Sequence, residues 1–145
     1  MDQQLIHADQ KQHLDDVVGV VSVYIRVSNI KRSVEWYSQY LGCVVMQQNE
    51  GYASVHLPWG ATLDFWQDDN LVVNKHPIFC IYTKEIVPYH KGLQMNGVSI
   101  TEINDQGDCG YVFKVFDPDG HILEVWNGYK GKGAGVTEEF LNRNK

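Results

Sequence analysis

A chain of 145 residues with 43% hydrophobic and 21% charged residues has the size and composition of one globular domain, which excludes extended disorder, collagen and coiled coil. Twelve Lys and Arg against 18 Asp and Glu leave a net charge of -6 and no basic cluster, so neither nucleic acid nor a membrane surface is an expected partner. Apolar stretches such as residues 17–21 fall far short of the roughly 18–20 residues that span a bilayer. The start Met1-Asp2-Gln3-Gln4 has no signal-peptide core, and Cys43, Cys80 and Cys109 stand at no metal-ligand spacing; a soluble, cytoplasmic protein with reduced thiols is expected.

Residues 1–18 are polar and read as an N-terminal arm outside the core. From residue 21 the pattern has a period of two, with Val21, Val23, Ile25 and Val27 opposing Ser22, Tyr24 and Arg26, which predicts a strand with one apolar face. Ser28 or Asn29 then caps a helix whose apolar residues Ile30, Val34, Tyr37 and Leu41 recur every three to four positions, with Gly42 as its left-handed stop. Strands follow near 43–48, 52–57 and, after the turn Pro58-Trp59-Gly60, 61–66. The order repeats: a strand at 77–83, a helix from about 85 to 95 stopped by Asn96-Gly97, and strands near 98–103, 111–116 and, after Asp117-Pro118-Asp119-Gly120, 121–126. Pro58 and Pro118 lie 60 residues apart, as do Gly60 and Gly120, and each turn glycine is followed four residues later by a carboxylate, Asp64 or Glu124. The domain therefore covers 19–128 as two modules, about 19–68 and 75–128, and residues 129–145 read as a Gly-rich linker and short tail.

One helix covers only one face of a four-stranded sheet, so if the modules pair, their uncovered faces form a shared cleft. Parity assigns Ser22, Tyr24, Arg26, Thr62, Asp64 and Trp66 to that cleft from the first module, and Glu124 and Trp126 from the second. Uninterrupted alternation from Phe79 adds His76; the parity of residues 111–116 leaves Lys114 open. Asp64, His76 and Glu124 are donors suited to a divalent ion (Mn, Fe, Co, Ni or Zn), which in an open site polarises a substrate oxygen or activates water; no organic cofactor is expected. A strand-face carboxylate is also commonly just solvated, and a histidine before a proline commonly a loop residue. Glu124, set between Leu123 and Val125, is the strongest candidate, because a lone carboxylate among apolar groups is costly unless paired or metal-bound.

Residues 23–27, Arg32 through Tyr37, Leu41-Gly42 and above all Asp117-Pro118-Asp119-Gly120-His121-Ile122-Leu123-Glu124 resemble the vicinal oxygen chelate superfamily. Glyoxalases, fosfomycin-modifying thiol transferases, extradiol dioxygenases and bleomycin-binding resistance proteins belong to it. The resemblance implies an α+β fold of two paired βαβββ modules forming a curved mixed sheet around a cleft, with a divalent metal held by the first and last strands of each module. It matches Glu124 and Asp64 to the last-strand ligands. His76 matches the second-module histidine at one spacing, whereas another spacing puts Pro77 or Ile78 there. The remaining position, normally His or Gln, is Ser22.

Two functions compete on these residues. The expected one is a divalent-metal enzyme (lyase, isomerase, thiol transferase or dioxygenase type) in which Asp64, His76 and Glu124 hold the ion, Glu124 also serves as a catalytic carboxylate, and Ser22, Tyr24, Arg26, Trp66, Lys114 and Trp126 line the cleft of a small oxygen-chelating substrate. The alternative is a metal-free protein that sequesters a cationic or aromatic small molecule, as the bleomycin-binding relatives do. A homodimer is expected under either, with the modules pairing within one chain or across two.

Overall fold

The computed structural model describes residues 13–135, so the expectations for the arm before residue 13 and the tail beyond residue 135 lie outside the described residues. The first module runs β1 (Ser22–Val27), α1 (Ile30–Leu41), β2 (Val44–Gln48), β3 (Tyr52–His56) and β4 (Thr62–Gln67). The second runs β5 (Pro77–Tyr82), α2 (Ile86–Met95), β6 (Asn104–Asp105), β7 (Tyr111–Phe116) and β8 (Ile122–Trp126). Each module is a four-stranded mixed sheet, in the orders β1-β4-β3-β2 and β5-β8-β7-β6, with the first strand parallel to the last. The expected α+β architecture of two βαβββ modules is present.

Local chemistry sets these boundaries. The Asn29 side chain accepts the Arg32 N–H at 2.9 Å and starts α1, and Gly42, at φ 73°, ends it in a conformation that side chains other than glycine resist. The strand expected at 98–103 is reduced to a single bridge, Ile100 to Val115, and pairing resumes only at β6. The Thr101 hydroxyl accepts the Lys114 N–H at 2.9 Å, putting a side chain where the ladder needs a carbonyl. A second departure is the bulge between Pro77 and Phe79, which breaks the alternation on which the placement of His76 rests. Nor are residues 129–135 a plain linker: Tyr129 and Gly133 form a bridge, and Ala134 is 2% exposed.

Ile25, Val27, Val34, Tyr37, Val55 and Phe65 of the first module and Ile86, Leu93, Phe113, Val115, Leu123 and Val125 of the second belong to one core. The helices touch, with the Tyr89 hydroxyl donating to the Tyr40 carbonyl at 2.7 Å. The turn before β8 reaches across to the first module: Tyr37 donates to Asp117 at 2.8 Å, His121 Nε2 lies 2.6 Å from the Arg26 carbonyl, and Asp119 meets Ser28 and Arg32. Trp59, at the equivalent place before β4, meets Tyr82 of β5, with ring centroids 6.3 Å apart. The modules therefore join through the core their helices cover. No described helix is long and apolar enough to cross a membrane.

Candidate functional site on the uncovered sheet faces

Pairing in β1, β3 and β4 places Ser22 beside Thr62, Tyr24 beside Asp64, Arg26 beside Trp66, and Ser54 across from Asp64. Leu63 and Phe65 turn into the core, so Asp64 between them takes the opposite face. The strands on either side nevertheless bury it to 8% exposure, and hydroxyls compensate the loss of water. Ser54 donates to Asp64 Oδ1 at 2.8 Å and Thr62 donates to the same oxygen at 3.1 Å. Since Thr62 spends its proton there, it accepts from Ser22, 3.0 Å away. Three rings share the sheet face of Asp64: Trp66 lies 4.5 Å from Tyr52 and 6.5 Å, edge to face, from Tyr24. Tyr24 is 73% exposed and Trp66 42%.

The second module repeats the arrangement with different chemistry. Glu124 lies beside Cys80 and across from Lys114, and Trp126 lies beside Tyr82. With Phe113 and Val115 buried, Lys114 is on the uncovered face and exposed, which settles its parity. A recess of about 630 Å³ is bounded by Lys114, Glu124, Trp126, Thr101, Glu102 and Asn104, among others. Trp126 is anchored by its indole N–H to the Cys109 carbonyl at 2.6 Å and flanked by Tyr82 and Tyr129. Desolvation and the Glu124 charge push the Cys80 thiol up to about 11, so it carries no thiolate nucleophile at neutral pH.

The two faces stay apart within the chain. Among the described residues no hydrogen bond, ion pair or ring contact joins Tyr24, Arg26, Asp64 or Trp66 to Cys80, Lys114, Glu124 or Trp126, and no three His, Cys, Asp or Glu side chains meet where one ion could be held. His76 stands exposed ahead of β5, its N–H donating to Asn74 Oδ1 at 3.1 Å in a turn. Because of the bulge, it is Pro77 that pairs with Ile122, as Ser22 pairs with Thr62. The first-strand positions are thus a proline with no donor atom and a serine already bonded to Thr62, which does not fit the ligand set of a divalent ion. Sequence reasoning missed Tyr52 and Ser54, although the alternation with buried Ala53 and Val55 carried the signal.

The profile of the Glyoxalase/Bleomycin resistance protein/Dioxygenase superfamily matches residues 14–125. A search of curated proteins returns no match. Among solved structures, a glyoxylase/bleomycin resistance protein/dioxygenase domain from Frankia sp. EAN1pec is 18% identical, with a TM-score of 0.64 over 77% of this chain and 98% of that one. A lactoylglutathione lyase from Agrobacterium tumefaciens is 12% identical, with a TM-score of 0.64 over 76% and 93%. A bleomycin resistance determinant encoded on the transposon Tn5 is 15% identical, with a TM-score of 0.60 over 75% and 97%. At these identities the likeness is one of fold.

Proposed function

The chain belongs to the Glyoxalase/Bleomycin resistance protein/Dioxygenase superfamily, and from that premise we propose that it binds a small planar aromatic cation without a metal ion. The observation that carries this reading is Asp64. Its carboxylate is nearly buried, two hydroxyls fix one oxygen, and Tyr24, Trp66 and Tyr52 share its sheet face. A carboxylate among aromatic faces attracts an organic cation by charge and by the ring quadrupoles together. Glu124 beside Trp126 supplies a second acid–aromatic pair, and the bleomycin resistance determinant among the similar folds is in keeping with a sequestering role.

The metal-enzyme reading retains one specific support, the matched positions of Asp64 and Glu124 in the two modules. Titration of chelator-treated protein with acridinium, followed by tryptophan quenching, separates the readings. Saturable quenching that Mn and Zn do not alter, weakened about tenfold by Asp64→Asn, is the expected result. Absence of binding, or binding that requires a divalent ion, overturns it. Stoichiometric metal whose affinity falls on His76→Ala and Glu124→Gln establishes the enzyme reading instead.

A further inference from the structure

We propose that the seam between the two modules is a second ligand site, an apolar cavity that takes one neutral aromatic molecule of two or three rings. The cavity has a volume of about 420 Å³ and lies where the turn before β4 meets β5. That size falls within the roughly 300–1,000 Å³ of ordinary small-molecule sites. Val23, Leu63 and Phe79, which belong to the shared core or pack against it, line the cavity from β1, β4 and β5. Asp64, Lys114 and Glu124, the charged groups of the uncovered faces, take no part in its wall.

The internal repeat explains why there is room at this place. Ala61 stands 60 residues before His121, and each directly precedes the last strand of its module. His121 is 5% exposed and carries its ring across the seam to the Arg26 carbonyl. Tyr82 is the counterpart of Arg26, since Arg26 pairs with Trp66 and Tyr82 with Trp126. At the junction beside Tyr82 the chain presents only the Ala61 methyl group. The volume that an imidazole fills at one junction is therefore cavity at the other.

The lining selects the ligand. No charged side chain is among the described lining residues, so a charged guest would lose its hydration without compensation. Trp59 and Tyr82, with ring centroids 6.3 Å apart and planes tilted by 35°, present aromatic surface to the cavity. Ala134, 2% exposed in the hook after β8, bounds another side. Apolar cavities of this kind take up neutral aromatic molecules. This chemistry is the opposite of that around Asp64, so the site does not depend on the organic-cation reading and either can fail alone.

N-phenyl-1-naphthylamine, which is neutral and fluoresces in apolar surroundings, is the probe. The wild-type should bind one equivalent saturably at micromolar concentrations. Ala61→His, which copies the residue at the repeated position, should weaken binding about tenfold or more, and Asp64→Asn should leave it unchanged. Absence of saturable binding overturns the proposal, as does undiminished binding by a folded Ala61→His chain. A tenfold loss on Asp64→Asn also overturns it, because the probe then sits on the acidic face. Placement is read without any substitution from methyl resonances: those of Val23, Leu63 and Ala134 should shift on saturation, and those of Val44 and Val45 on exposed β2 should not. Unmoved resonances at Val23, Leu63 and Ala134 overturn the proposal whether or not Ala61→His folds.

Discussion

Asp117 shows what one residue of the turn before β8 does. Its Oδ1 accepts the N–H groups of Asp119 and His121, each at 2.9 Å, and its Oδ2 accepts the Tyr37 hydroxyl. Burial raises its pKa, while the three donors and His121 hold it down; burial also pushes the Tyr37 phenol well above its ordinary value, so that it stays a donor. A folded-state pKa above the unfolded one means that the folded chain binds the proton more tightly. Stability from this group is therefore present at low pH and lost as pH rises from the ordinary carboxylate range through the raised value. Tyr37→Phe removes one of the donors that lower the pKa and widens that window. The variant should lose about 1–3 kcal/mol at pH 7, and less below pH ~4, as read from urea unfolding at both pH values; an equal loss at both excludes the charge argument. The sequence showed Asp117 only as a turn residue, since its partner Tyr37 lies 80 positions away and looked like ordinary helix core.

At the scale of elements, what sequence could reach was whatever depends on neighbours in the chain. Asn29 and Gly42 bounded α1, and alternation placed β1, β4 and β8 and sorted Asp64, Trp66, Glu124 and Trp126 onto uncovered faces. It failed where a single residue breaks the period. The bulge in β5 moved Pro77 into the position expected of a ligand, and Thr101 interrupted the strand expected at 98–103. The hook after β8 was missed for a related reason, because Gly128, Gly131, Gly133 and Gly135 all adopt positive φ, which composition cannot distinguish from flexibility. Two of them can be told apart by substitution. A Cβ at Gly128 would stand 2.1 Å from the Gly133 backbone, whereas one at Gly131 meets nothing within 4 Å. Gly131→Ala should cost about 1 kcal/mol, from its backbone conformation alone. Gly128→Ala should cost clearly more and expose the hook to rapid hydrogen exchange around Tyr129 and Ala134; equal behaviour of the two variants would show that the close approach does not hold it.

For the whole molecule, the internal repeat was legible and the relation between its halves was not. Two sheets with one uncovered face each can pair in more than one way, and the groups that decide lie far apart in sequence. Asp119 is the clearest of them. Its side chain is 4% exposed, accepts the Ser28 N–H at 3.1 Å and Arg32 at 2.7 Å, and also meets the Ser28 hydroxyl, all across the boundary between modules. The pseudo-equivalent place in the first module holds Trp59, whose ring meets that of Tyr82, so an aromatic contact stands where the second module's turn places a carboxylate. Asp119→Ala therefore removes the ionic half of the joint and leaves each module's own sheet and helix packing intact. Arg32, half exposed, returns to solvent without leaving a buried charge, which limits the loss to about 1–3 kcal/mol. If the clasp couples the modules, urea unfolding of the variant should broaden, with a smaller m-value as the halves unfold at separate midpoints. A sharp transition that merely shifts to lower urea would mean that the shared apolar core alone keeps the two modules unfolding as one.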